Sequence, residues 1–584
     1  VHPEAGSDLK ERTAQNFARL QAEIYRPPLV FRQTNWKAWP GDFEGRALLA
    51  VTLLSRATGE APPYFAEMVA AYPAQWNAQG YFGPLLDRKA INEQQLSGHG
   101  WLLRALCELY DDPGAPQPKE RTLAQIRAVV KNLALPLRGA YAVYPIDPAV
   151  RAKAAAPTSP GAVDGHLDAQ HGEWVVSSDT GCCFIFLDGL CHAWVVLRSV
   201  GDSTAGPLKE LIDEAIARFA QVDVVAVKAQ THATLTAVRA VLRVYGETGD
   251  PALLELAQKR YGLYRSTAMT EHYANFNWFG RPESWTEPCA IIDSYMVATE
   301  LWRQTGQPGY LEDAHRIWFN GVGRGLRANG GFGTDTCPGV TPFVRVRSYE
   351  AYFCCTMRGG EGHARAAQNL YYTGGSGGVS EVTVPFFENS TATLTLPEGE
   401  MTLRQVTTYP YGGQVRLEVV SSTVRGPVRV RLFAPQWTLN HTVMLRRGTN
   451  SVRAPLRREA GFVVLELNPG RESGLELRFI LRTGAREPIS PVTPRGYRAF
   501  EAGPLLLGYA PAEDSTATLK SPNPMEIRLP ADAELISADD TVATGRYRVG
   551  TTDWVLGPIN DLHQMPPSSD ARAPHPRQVL FRSG

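Results

Sequence analysis

Net charge is the first thing this chain lacks, because 59 Lys and Arg residues are matched by 59 Asp and Glu. Without a net field it has nothing to recruit nucleic acid or an anionic membrane surface, and a neutral partner is expected. Also missing is an uninterrupted run of about 18 apolar residues, the length a bilayer-spanning helix needs, so no membrane insertion is expected. There is no disulfide framework either. The eight cysteines, at 107, 182, 183, 191, 289, 337, 354 and 355, gather in groups instead of spreading along the chain, which reads as mostly reduced thiols. No methionine opens the chain at Val1, the mark of a processed or trimmed product, so a soluble, exported protein that has shed a signal peptide is one expectation.

What is present is enough chain for two to four domains, since 584 residues exceed what one core can hold. From residue 8 to about 372, apolar residues recur at three- and four-residue spacing, as in Leu102, Leu103, Leu106 and Leu109. The punctuation repeats: Thr58-Gly59-Glu60, Asp112-Pro113-Gly114, Val200-Gly201-Asp202, Thr248-Gly249-Asp250-Pro251 and Thr305-Gly306-Gln307-Pro308. Glycine stops one helix and proline opens the next, so the pattern is a series of helical hairpins. With a sixth hairpin after Gly359 these close into an (α/α)6 toroid over 1–373, an open solenoid being the alternative. Past Tyr372 the period changes to two. Val382 and Val384, Val415 and Leu417, Val428 and Val430, Val463 and Leu465, and Leu475 and Leu477 mark an antiparallel β-sandwich over 374–510. Residues 511–584 read as a small β appendage with a loose tail.

Two adjacent cysteines, Cys354 and Cys355, precede a glycine-rich helix start. Neighbouring cysteines close a mutual disulfide only with strain, whereas two thiolates on one metal ion are easily accommodated. Upstream, Glu287-Pro288-Cys289 offers a carboxylate and a third sulfur. A Cys3Glu tetrahedral set suits zinc, with Glu287, Cys289, Cys354 and Cys355 as ligands. Both pairs are expected at helix N-termini, where the positive end of the dipole favours anionic ligands. Cys182, Cys183 and Cys191 lie in an apolar run and read as small core hydrophobes. Glu271 opens an aromatic-rich segment that includes Trp278, and a carboxyl among rings has the raised pKa a general acid needs, although a solvated loop glutamate is the plainer reading.

Glu287-Pro288-Cys289, the Cys354-Cys355 pair and Glu271 sixteen residues ahead of Glu287 together resemble the zinc-cysteine glycosidases of families 127 and 146, which include β-L-arabinofuranosidases. Arg498-Ala499-Phe500-Glu501-Ala502-Gly503 is similar to a segment of the family's β region. The resemblance implies a retaining exo-glycosidase acting on an oligosaccharide or glycoconjugate, with Cys354 as a zinc-bound nucleophile and Glu271 as acid and base. His232 and, more weakly, His192 resemble sugar-contacting histidines. His99, Asp42, Trp278, Glu361 and His363 complete the expected substrate contacts, with helix capping as the alternative for Asp42. Thr356-Met357-Arg358 departs from the family pattern, and an altered specificity is expected to show there. A lyase or epimerase on the same toroid, or a carbohydrate-binding protein with a closed structural zinc, are the rival readings.

Overall fold

The computed structural model describes all residues except 5, 33–37, 155–164, 340, 377–378, 511–525, 531, 539–544, 561–576 and 583–584. Six inner helices form a closed ring: α1 (Asp42–Thr58), α2 (Glu93–Asp111), α3 (Ile185–Ser199), α4 (Thr231–Thr248), α5 (Pro288–Thr305) and α6 (Cys355–Gln368). Each packs on the next, and α6 packs back on α1. Outer helices cover them, with Lys119–Val129 on α2, Ala205–Gln221 on α3, Pro251–Thr267 on α4, Pro308–Arg316 on α5 and Asp8–Leu20 on α6. The toroid is therefore closed, and the glycine corners are its stops. Gly59, Gly249 and Gly306 cap α1, α4 and α5 in the left-handed region, at φ 76°, 69° and 68°. Only glycine enters that region without cost, so these positions end the helices sharply.

Close packing of the ring rests on small residues. A side chain at Gly98 of α2 would meet the Pro40 carbonyl oxygen at 2.2 Å, and one at Gly45 of α1 would meet the Leu102 backbone nitrogen at 2.4 Å. The stretch Cys182–Ser199 is apolar enough to cross a membrane, with mean hydropathy 1.4, despite the expectation that no such run exists. It contains α3, and 83% of it is buried inside the molecule, so it is a core helix of the ring. Cys182, Cys183 and Cys191 are all fully buried there.

The β region holds a seven-stranded sheet and a five-stranded sheet, followed by a third. Alternating residues such as Val428, Val430 and Leu432 are buried, as their period-two spacing requires. One pairing in the five-stranded sheet is parallel, Val428–Leu432 against Ser380–Val384, so the sandwich is not wholly antiparallel. Strands Thr483–Arg486, Tyr497–Ala502 and Leu505–Tyr509 belong to the third sheet, and the sandwich ends near Leu481. Helical ring and sandwich share a core, with Trp302 of α5 stacked on Phe462, centroids 5.9 Å apart.

The amino-terminal segment is tied to the sandwich. His2–Pro3 pairs with Ser390–Thr391, and the Ser7 hydroxyl donates to buried Glu388 at 2.9 Å. Burial and the nearby Asp8 carboxylate raise the Glu388 carboxyl to about 8. The native state then holds a proton that the unfolded chain has released, so stability falls as pH rises through the interval. We expect a decline on the order of a few kcal/mol between about pH 5 and pH 8. Urea midpoints measured across this range should slope downward for the wild type and flatten for Glu388→Gln; parallel slopes would remove Glu388 as the cause.

Candidate active site and metal centre

The six inner helices present their N-terminal ends to one pocket of about 60 Å³. Asp42 and Arg46 of α1, Ser97 of α2, Ile185 of α3, Gln230 and His232 of α4, Glu287 ahead of α5, and Cys354 and Cys355 of α6 all line it. Pro288 occupies the first turn of α5 with Glu287 as N-cap, as expected from the sequence. The last inner helix starts at Cys355, five residues earlier than the expected Gly360, so Cys354 is its N-cap residue and Cys355 its first.

Three sulfurs converge here. The Cys289 and Cys355 Sγ atoms lie 3.6 Å apart, and those of Cys354 and Cys355 lie 3.3 Å apart. Tetrahedral zinc with Zn–S bonds of about 2.3 Å needs sulfurs roughly 3.8 Å apart, so the spacing fits. Ligand atoms of Cys289, Cys354 and Cys355 lie within 4.8 Å of one another, as do those of His232, Glu287 and Cys289. Glu287 faces His232 Nδ1 with Oε1 at 3.3 Å, while its Oε2 is buried without a hydrogen-bond partner among the described residues. A carboxylate grouped with Cys289 and carrying an orphaned oxygen is what a bound cation would satisfy. His232 Nε2 faces Asp293 Oδ2 at 3.4 Å, so this ring lies between two carboxylates and orients Glu287.

Charges reinforce the set. Burial pushes the Cys289 thiol up, but hydrogen bonds from Cys354 and Cys355 and the positive charges of His232 and Arg46 outweigh it, leaving Cys289 well below the usual thiol range. Hydrogen bonding to Cys289 and Cys355 holds Cys354 up, and burial does the same for Cys355. Burial lowers and Glu287 and Cys289 raise His232, for a net rise. Arg46 Nη1 approaches Cys289 Sγ at 3.5 Å and its Nε donates to Asp42 at 2.9 Å. Burial raises the Asp42 carboxyl against the pull of Arg46. Asp42 begins α1 without capping it; the N-cap is Gly41.

Several expected residues stand elsewhere. Glu271 does not line the pocket. Its carboxylate accepts from Arg486 Nη1 at 2.9 Å, the Ile489 and Ser490 backbone N–H groups at 3.1 and 2.8 Å, and the Thr493 hydroxyl at 2.8 Å. A carboxylate holding four donors is committed to joining the helical ring to the third sheet. Glu271→Ala is expected to cost about 1–3 kcal/mol in stability by leaving the Ile489 and Ser490 N–H groups without their acceptor and Arg486 with Glu501 alone. A urea midpoint equal to wild type combined with lost turnover would return the residue to the reaction.

His192 faces Asp111 at 3.7 Å, toward the C-terminal ends of the ring helices and away from the pocket. His99 accepts from the Phe82 backbone N–H at 3.1 Å and contacts the Gln95 carbonyl at 2.6 Å, a structural tie. Trp278 packs edge-on to Trp285, and it is Trp285 that lines the pocket. Glu361 is buried among Arg104, Arg239 and Arg358, and His363 packs between Trp318 and Phe332. Thr356, Met357 and Arg358 are buried outside the lining, with Arg358 bonded to Asp293 beneath the site, so they shape its floor and do not meet a ligand directly. Sequence reasoning passed over Trp39, Arg46, Asp179, Gln230, Asn277, Trp285, Thr334 and Phe353. Two of these had a local signal: Gln230 precedes His232 by two residues, and Trp285 precedes Glu287 by two.

No protein-family model and no curated protein matches this sequence. Solved structures do. A glycoside hydrolase aligns over 98% of this chain and 95% of its own, at 15% identity and TM-score 0.65. The GH127 β-L-arabinofuranosidase from Geobacillus stearothermophilus T6 aligns over 98% and 94%, at 14% identity and TM-score 0.62. The chain shares their fold. A further GH127 β-arabinofuranosidase aligns over 98% and 92%, at 12% identity and TM-score 0.65. At these identities the GH127-like architecture, a helical toroid followed by β domains, is what the likeness establishes.

Proposed function

We propose that the protein is a retaining exo-glycoside hydrolase that releases a terminal furanose-type sugar, with β-L-arabinofuranose as the first candidate. The observation that carries this reading is the three-sulfur cluster with the orphaned Glu287 oxygen, at the base of a pocket ringed by six helix N-termini. Glu287, Cys289, Cys354 and Cys355 are assigned as zinc ligands. Zinc, when bound, keeps the sulfurs deprotonated near neutral pH, where a free thiol is mostly protonated.

Cys354 is the one partly exposed member of the three, so its Sγ is assigned as the nucleophile that bonds the anomeric carbon while the aglycone oxygen leaves with a proton. Water then attacks the anomeric carbon from the face the aglycone left, opposite the sulfur; the C–S bond breaks, the Cys354 thiolate is released, and the second inversion restores the sugar's configuration. Proton transfer is assigned to the lining carboxyls Asp42 and Asp179 in place of Glu271. Arg46, Gln230, Asn277 and Thr334 offer hydrogen bonds to sugar hydroxyls, and Trp39, Trp285 and Phe353 offer apolar surface.

The test pairs metal analysis with turnover. Protein purified without chelator should carry one zinc per chain and should hydrolyse an aryl β-L-arabinofuranoside, with the first-formed anomer retained by NMR. Absence of zinc would overturn the ligand assignment. Zinc with no hydrolysis across a panel of aryl furanosides and pyranosides would overturn the enzymatic reading in favour of a structural metal.

A further inference from the structure

The opposite end of the ring carries a second and larger cavity, of about 450 Å³, between the C-terminal halves of α4, α5 and α6. Arg239 and Arg243 of α4, Arg303 of α5 and Arg365 of α6 line it, against only Glu247 and Glu300. Both of those carboxylates are engaged, Glu247 by Arg198 and Glu300 by Arg303 at 2.6 Å.

Behind the lining lies a buried network in which arginines outnumber carboxylates. Asp188 takes Arg104, Arg239 and Arg243; Glu108 takes Arg56, Arg104 and Arg365; Glu361 takes Arg104, Arg239 and Arg358; Asp293 takes Arg239 and Arg358. Four carboxylates therefore serve six guanidinium groups. Arg243 is thinly satisfied. Among the described residues its one ion-pair contact is a 3.4 Å approach to Asp188, a carboxylate it shares with two other arginines, and its Nε is buried with no hydrogen-bond partner. Mutual repulsion is visible at Arg365, which burial and the neighbouring Arg104, Arg243 and Arg239 lower to about 10 despite Glu108. Helix C-termini add partial negative charge within the last turn, which Arg303 and Arg365 offset there, while Arg239 and Arg243 lie further in.

We propose that this cavity is a binding site for a small oxyanion, a phosphate or a phosphate-bearing metabolite, held by Arg243, Arg303 and Arg365 at the face opposite the catalytic pocket. Forked guanidinium groups match phosphate oxygens in pairs, and the volume suits a ligand up to the size of a monosaccharide phosphate. Asp293 and His232 lie between this site and Glu287, but binding itself needs no communication between the two.

Inorganic phosphate is the probe, titrated by calorimetry into the zinc-loaded full chain, with potassium chloride at matched ionic strength as control and D-glucuronate as the carboxylate arm. Saturable one-site phosphate binding, weakened at least tenfold in Arg243→Gln and in the more exposed Arg303→Gln, is the expected result, a loss consistent with one charge-assisted contact. Glucuronate binding with equal affinity would assign a carboxylate ligand and overturn the phosphate claim. Heat changes that chloride reproduces, or phosphate binding that both variants keep, would overturn the site. Because Arg303 is half-exposed at the rim, its variant remains informative if Arg243→Gln does not fold.

Discussion

Replacing Cys354 by alanine is expected to lower kcat/KM by about 10⁴-fold, the scale seen when a covalent nucleophile is removed, while zinc stays bound. The two halves of that expectation come from different features of the same helix end. Cys355 and Cys289 are buried and face each other across 3.6 Å, and Glu287 contributes an oxygen that nothing else among the described residues satisfies. Those three groups would still hold a zinc ion after Cys354 is shortened. Cys354 is the more exposed of the two cysteines that line the pocket. Its loss therefore removes the bond to carbon and spares the framework. Cys289→Ala should do the reverse and release zinc, because the sulfur it deletes is shared by both ligand groups. Metal content and single-turnover rates, measured on both variants, separate the roles. A Cys354→Ala enzyme within tenfold of wild type would assign all three sulfurs to structure.

How much of this was readable beforehand follows the range of the interactions. Local signals were reliable. Gly249 and Gly306 needed only their own φ, Pro288 only its position at a helix start, and Val428 to Leu432 only the pleat. The convergence of Cys289, Cys354 and Cys355 was readable for a related reason, since adjacent cysteines have few structural uses and a Glu-Pro-Cys helix start places its side chains at the same helix end. Glu271 stands away from the pocket lining because its environment comes from Arg486 and Thr493, more than two hundred residues later, which no spacing rule near 271 encodes. His192 and Glu361 stand away from it for a simpler reason. Toroid helices have two ends, and a polar residue on an inner helix is marked as inward by its periodicity while its height along the axis is not. The lining residues that were passed over, Asp179 and Thr334 among them, stand on connections whose course depends on the assembled ring.

Asp293→Ala is expected to destabilise the protein by about 3–5 kcal/mol, a substantial share of the 5–15 kcal/mol typical of folded domains. The carboxylate is fully buried at the centre of the ring. It accepts from Arg239 Nη1 and Thr236 Oγ1, at 2.8 and 2.7 Å, and from Arg358, and it faces His232 at 3.4 Å. Alanine at this position leaves buried Arg358 with Glu361 alone and Arg239 with Glu361 and Asp188, in a network already rich in arginine. It also withdraws the carboxylate that holds one side of the His232 ring, so the ring's hold on Glu287 weakens with it. Asp293→Asn keeps the shape and an acceptor oxygen but not the charge, and should fall between alanine and wild type. Urea midpoints fix the stability, and zinc affinity measured by competition with a chromophoric chelator reads the second effect. A tenfold or greater weakening of zinc in Asp293→Asn, at a urea midpoint that shows most molecules folded, would mark Asp293 as a positioning residue for the metal site. Unchanged zinc affinity alongside a lowered midpoint would confine it to holding the ring together. A midpoint shift worth less than about 1 kcal/mol in Asp293→Ala would mean that Glu361 and Asp188 suffice for Arg239 and Arg358, and that Asp293 is not required to hold the centre of the toroid together.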